Sequence, residues 1–264
     1  MNAGWDLHIH TPYCDGKSPA RDSVEQALKL GLETVVFSGH AHTPFDERYC
    51  MSVENTALYV DEIRALQTEY RGRIDVLLGV EQDLYADAPT ADYDYVIGSV
   101  HYLKRGDSHI PVDEGTAYLR KAADMWFGGD PLSVAEAYFA AVAELADRVK
   151  PDIVGHFDLI TKYQEREPFL DPSHPRYVRA WQKAADRLLD AGAVFEINTG
   201  AIARGLKSAP YPAADILRYL RDGGGRFVFS SDSHKADTVA YGFSDCRALA
   251  DAMGLRFGED LPKR

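Results

Sequence analysis

A chain of 264 residues, 45% hydrophobic and 27% charged, can bury a full core without disulfides. Its 29 Lys and Arg against 41 Asp and Glu leave a net charge of −12, a field that repels a phosphodiester backbone and argues against a nucleic-acid-binding module. Three unevenly spaced cysteines (Cys14, Cys50, Cys246) suggest a reducing, cytoplasmic setting. MNAGWDLHIH has no signal-peptide pattern, and no apolar run nears the roughly 18 residues of a membrane span.

Short apolar runs alternate with longer helix-like stretches along the chain. Candidate strands are WDLHI near residue 5, ETVVFSG ending at Gly39, RIDVLLGV ending at Val80 and DYVIGSV ending at Val100. PDIVG ending at Gly155, AVFEIN ending at Asn198 and RFVFSS ending at Ser231 complete the set. Each is nearly continuously apolar, as strands covered on both faces are. Between them, RDSVEQALKLGL sets Val24, Ala27, Leu28 and Leu32 on one stripe, with Asp22 or Ser23 as a candidate cap. SVENTALYVDEIRALQTEY repeats Leu58, Ile63 and Leu66 at helical spacing, and SVAEAYFAAVAELADRV opens with Ser133 and Glu136 in a capping-box pattern. PRYVRAWQKAADRLLDAG closes on Gly192, and YPAADILRYLRDGGG places Pro212 near its start. Residues 104–131 are expected to form loops and a helix. The alternation predicts a parallel α/β sheet, closed into a barrel or open and doubly wound.

Seven of the nine histidines fall in or just after the C-terminal end of a predicted strand; His109 and His174 do not. That edge is where α/β folds bind ligands. His8-x-His10 and Asp232-x-His234 each set two ligand-type side chains on one face of extended backbone. Imidazole and carboxylate together suit zinc, manganese or iron. Glu81 abuts a buried strand in GVEQD, where a carboxylate needs a partner or a metal. His101 ends VIGSVH, His156 ends DIVGH, and His40 ends VVFSGH with His42 behind it. Asp15 lies in the loop after the first strand, and Lys162 and Arg204 follow the fifth and sixth strands, where they suit an anionic group. Glycine-rich phosphate loops and G-x-S-x-G elbows are absent from the sequence.

DLHIHTPYCDG, FSGHA, GVEQD, GSVH, VGHFDLI, EINTG and SSDSH, running from Asp6 to His234, resemble the polymerase and histidinol phosphatase (PHP) family. The resemblance implies a distorted seven-stranded (β/α)7 TIM-like barrel, in one domain over residues 1–264, with three divalent ions at the strand ends. Carried over residue by residue, one ion takes His8, His10, Glu81 and Asp232. A second takes Glu81, His101 and His156, and a third takes Asp15, His40 and His234. HTPYC, GHFDLI and EINTG followed by YPA look like the histidinol-phosphate phosphatase branch. In that branch His42, Lys162 and Arg204 are expected to bind phosphate, and Asp158 to orient a ligand or protonate the leaving alcohol. The implied reaction is hydrolysis of a small phosphomonoester by a metal-bridging hydroxide. Rival readings are another phosphoester substrate, an amidohydrolase, and a structural or storage metal site.

Overall fold

The computed structural model describes residues 4–257. All seven predicted apolar runs are strands: β1 (Trp5–Ile9), β2 (Thr34–Phe37), β3 (Asp75–Asp83), β4 (Tyr95–Ser99), β7 (Ile153–Val154), β8 (Val194–Asn198) and β9 (Arg226–Ser230). They pair in parallel in that order. Beyond the ends of β1 and β9, Ser233 bridges Ile9: His10 N donates to Ser233 O at 2.8 Å, and Ser233 N donates to His8 O at 3.0 Å. These bonds carry the sheet round into a nearly closed barrel, which settles the choice left open by periodicity.

Outside the barrel lie α1 (Ala20–Leu30), α2 (Val53–Glu69), α3 (Thr116–Trp126), α4 (Pro131–Arg148), α5 (Pro175–Asp190), α7 (Ala214–Asp222) and α8 (Phe243–Met253), with a short α6 (Gly200–Ala203) at the end of β8. Strand residues alternate as the pleat requires. Phe195, Phe227 and Phe229 pack outward against the helices, while Val36, Tyr95, Ile153, Val194 and Val228 fill the barrel interior. Along the same inward faces, toward the strands' C-terminal ends, come Glu81, Ser99, Glu196 and Ser230, all buried. The barrel thus has an apolar floor under a polar layer.

One irregularity positions the first histidines. The β1–β2 register shifts between Asp6 and Ile9, as a β-bulge does. Leu7 therefore packs with the interior cluster although His8 and His10 also converge inside, and Ile9 faces the helices.

Four local expectations change. Helix α1 starts after Pro19 without a side-chain cap, and Asp22 lies in its first turn while Ser23 is buried. Helix α4 is capped by Asp130, which accepts from Leu132 N; Ser133 donates its hydroxyl to that same Asp130, and Glu136 pairs with Arg176. A proline at the first turn makes Asp130 the better cap. In α2 the buried stripe runs through Tyr59, Ile63 and Leu66, leaving Leu58 48% exposed, because Tyr59 sends its hydroxyl to Gly79 O at 2.8 Å. The segment 104–131 holds α3 and also part of an antiparallel hairpin, β5 (Tyr102–Arg105) with β6 (Ser108–Pro111), turned at Gly106 (φ 59°).

Candidate metal centre

Glu81 lies where five imidazoles converge. Its Oε2 is 2.9 Å from His40 Nδ1, 3.2 Å from His8 Nε2 and 3.6 Å from His10 Nε2. Its Oε1 is 2.9 Å from His156 Nε2 and 3.3 Å from His101 Nε2, and accepts from Ser99 Oγ at 2.6 Å. Asp232 Oδ1 approaches His10 Nε2 at 3.2 Å, and Asp15 Oδ2 lies 3.0 Å from His234 Nε2. Asp15 Oδ1 is 3.5 Å from His10 Nδ1 and 3.8 Å from His40 Nε2. The nine residues expected at metal positions are therefore gathered in one place.

Three overlapping groups bring their donor atoms within 4.8 Å of one another: His8, His10 and Asp232; His40, Glu81 and His101; and His10, Asp15, His40 and His234. His8 Nε2, His10 Nε2, Asp15 Oδ1, Glu81 Oε2 and His156 Nδ1 are buried without a hydrogen-bond partner among the described residues. Buried polar atoms rarely go unpaired, and donor atoms of His8, His10, Asp15 and Glu81 gather in these groups, which fits cations rather than a hydrogen-bond network.

The electrostatics agree. Burial opposes ionisation of Glu81 and Asp232, but His40, His8 and His101 around the first, and Arg204 and His8 beside the second, hold both pKa values well below the ordinary carboxylate range. His10 is pushed down to about 3 by burial and by its neighbours His234 and His40, so it stays a neutral donor. His8 behaves in the opposite way. Burial disfavours its charge, yet Glu196, Glu81 and Asp232 raise its pKa well above the usual imidazole value.

Two residues absent from the sequence reading orient these rings. Glu196 places Oε2 3.0 Å from His8 Nδ1, while its carboxylate also accepts from His156 N at 2.5 Å and Ser230 Oγ at 2.5 Å. Asp83 accepts from His101 N at 2.8 Å and lies 3.2 Å from His101 Nδ1. Each carboxylate occupies Nδ1 and leaves Nε2 toward Glu81, an arrangement that metal-binding histidines use to fix tautomer and aim. The available signal was inward alternation: Asp83 is two residues from Glu81, and Glu196 two from Asn198. Buried carboxylates at such positions require a partner.

Above the cluster opens a cavity of about 690 Å³. Lys162 and Arg204 both line it. Lys162 Nζ sits 2.9 Å from Asp113 Oδ2; Arg204 donates to Asp232 Oδ2 at 2.9 Å and lies 3.2 Å from His234 Nδ1. Lys17 and Lys235, which the sequence reading passed over, stand on the same wall. His42 and Asp158 do not line the cavity. His42 Nε2 turns to Glu47 at 2.9 Å, on the loop that follows. Asp158 is fully buried, and its Oδ2 accepts from Ala213 N at 3.2 Å, so it braces the chain leading into α7. Of the scattered histidines, His109 stacks on Phe45 and His174 caps α5.

The PHP domain family model matches residues 6–200. The chain belongs to the PHP family. A relative from Deinococcus radiodurans, named a probable histidinol-phosphatase, is 31% identical over 261 residues covering 94% of both chains. The histidinol-phosphatase of Bacillus subtilis is 26% identical, spanning 90% of this chain and 96% of its own. Among solved structures, the histidinol phosphate phosphatase of Lactococcus lactis, complexed with zinc, L-histidinol and phosphate, superposes with a TM-score of 0.73. It is 22% identical and covers 96% of this chain and 94% of its own. This PHP chain falls in the histidinol-phosphatase branch and is a divalent-metal phosphatase with the family's barrel.

Proposed function

We propose that this PHP enzyme hydrolyses L-histidinol phosphate to L-histidinol and phosphate in histidine biosynthesis, in the cytoplasm and without a nucleic-acid partner. The observation that carries this reading is the cluster of orphaned imidazole and carboxylate atoms at the floor of a cavity whose wall also bears four cationic side chains. A dianionic phosphomonoester matches that combination, and so do the histidinol-phosphatase relatives of nearly equal length.

The donor set suits three divalent ions of the zinc, manganese or iron class. His8, His10, Glu81 and Asp232 would hold the first, Glu81, His101 and His156 the second, and Asp15, His40 and His234 the third. When bound, such ions supply a nucleophile at neutral pH and neutralise phosphate charge. Glu196 and Asp83 keep the His8 and His101 rings in one tautomer and one direction, so the site is built before substrate arrives. Arg204 reaches from the end of α6 to Asp232 and His234, and its remaining donors would meet the phosphate. Lys162 lines the same cavity, its ammonium steadied by Asp113. Together they stabilise charge on the phosphoryl oxygens as it redistributes.

Stripping the protein with a chelator and reloading it tests this reading. Elemental analysis is expected to find three ions per chain, with phosphate release from histidinol phosphate returning as they load. Full activity in metal-free protein would overturn it.

A further inference from the structure

Strand β8 ends in Glu196, Ile197 and Asn198, so its two polar side chains fall on one face of the pleat, and both are buried. Glu196 has both oxygens fully engaged. Its Oε2 meets His8 Nδ1 and the Ser230 hydroxyl, and its Oε1 accepts from His156 N and, at 2.7 Å, from Asn198 Nδ2. Asn198 Oδ1 in turn accepts from Gly200 N at 2.9 Å, and Gly200 O accepts from Arg204 N at 3.1 Å. Hydrogen bonds thus run without a gap from the carboxylate that aims His8 to the arginine on the cavity wall.

The line closes on itself. Arg204 donates to Asp232 Oδ2 at 2.9 Å, and Asp232 Oδ1 lies 3.9 Å from His8 Nε2. His8 and Asp232 are the residues assigned to one ion, so both ends of the line meet there. Within it, the Asn198 amide is the link whose polarity cannot be reversed. A carboxylate can only accept and a backbone N–H can only donate, so Nδ2 must face Glu196 and Oδ1 must face Gly200. The backbone of Asn198 is pinned as well: its N donates to Tyr211 O at 2.9 Å and its O accepts from Tyr211 N at 3.0 Å. The Tyr211 ring stands 6.3 Å from that of His156, which keeps this support beside the centre.

We infer that Asn198 is a positioning residue that sets His8, Asp232 and Arg204 relative to one another, and so joins retention of the first ion to the grip on phosphate. The inference rests on the metal-dependent phosphomonoesterase reading and names the residue that ties its two halves together. Asn198 does not line the cavity, so it acts through Glu196 and Gly200 N rather than on substrate.

The test compares wild type with Asn198→Ala and Asn198→Asp by two readouts. One is zinc retained against a chelator, which needs no turnover; the other is KM for histidinol phosphate on zinc-saturated protein. Both are taken on folded, zinc-loaded protein and scaled to bound zinc, so an unfolded fraction does not enter. Asn198→Ala removes both bonds and is expected to weaken zinc retention about tenfold and to raise KM about tenfold. Asn198→Asp keeps an acceptor for Gly200 N but sets a second carboxyl against Glu196. It is expected to weaken zinc retention while raising KM less than Asn198→Ala does. A change confined to the melting temperature, with retention and KM as in wild type, would overturn the inference. A KM raised equally by both substitutions would overturn the transmission through Gly200. Failure of zinc-loaded wild type to release phosphate from histidinol phosphate would overturn the underlying reading instead, and zinc retention would still test the hold on Glu196.

Discussion

His101 is fixed from both ends, with Asp83 at Nδ1 and Glu81 at Nε2, 3.2 and 3.3 Å away. Truncating it leaves the barrel strands untouched but removes a donor whose direction is set. His101→Ala is therefore expected to lower kcat by about 100-fold or more, with an unchanged circular dichroism spectrum. Near-normal turnover would remove His101 from the centre. Arg204 acts on the substrate side. Losing its donors to phosphate is expected to raise KM for phosphomonoesters about tenfold or more, and steady-state kinetics of Arg204→Ala check this. At this scale the ligand-type residues were legible because histidine and acid recurred at strand ends, where chance rarely repeats them. Glu196 and Asp83 carried only the signal of inward alternation, two residues from Asn198 and Glu81, and their role in aiming a ring depends on a partner across the barrel. His42, expected from its motif to bind phosphate, has its ring Nε2 2.9 Å from Glu47 Oε1.

Among the elements, the end of β8 and the short α6 are packed tightly against the centre. A Cβ on Gly200 would stand 2.7 Å from Asp232 Oδ2, 2.8 Å from Asp232 Cβ and 2.9 Å from an Arg204 nitrogen. Asp232 itself adopts φ 49°, a left-handed conformation that costs a non-glycine residue and is held by its surroundings. Gly200→Ala is thus expected to displace Asp232 and Arg204 together, weakening metal retention and raising KM at once. Elemental analysis and kinetics of the same sample would show both; a variant with normal metal content and normal KM would mean that the loop yields without cost. The strands were readable because parallel strands are apolar on both faces, and the bulge in β1 was not, since register depends on the partner strand. The β5–β6 hairpin hid in LKRGDSHIP, too short and too polar for its alternation to stand out.

For the whole molecule, metal and folding are linked. Ions that bind only the folded barrel stabilise it by about 2.7 kcal/mol at a free concentration 100 times the dissociation constant, or about 5–10 °C in Tm for a chain of this size. Chelation is expected to reverse that rise in a thermal scan. Proton release gives the sign of the pH dependence. Burial works against the charge on His8 and His101, yet Glu196 and Glu81 around the first and Glu81 and Asp83 around the second hold both pKa values well above that of free imidazole. The surrounding carboxylates favour the protonated form of both rings in metal-free protein, and an incoming cation must displace those protons. Metal affinity is expected to rise with pH in a chelator competition titration, with protons released on loading. A flat profile would contradict the ligand assignment of His8 and His101.

The central claim is that one barrel joins a metal cluster to a cavity shaped for one small phosphomonoester. Phosphate release from histidinol phosphate, run beside phosphotyrosine, a dinucleotide and an aryl phosphate on metal-loaded protein, tests it most directly. The account predicts a kcat/KM for histidinol phosphate orders of magnitude above the rest. Similar, low efficiency on every phosphomonoester, or none on histidinol phosphate, would contradict it.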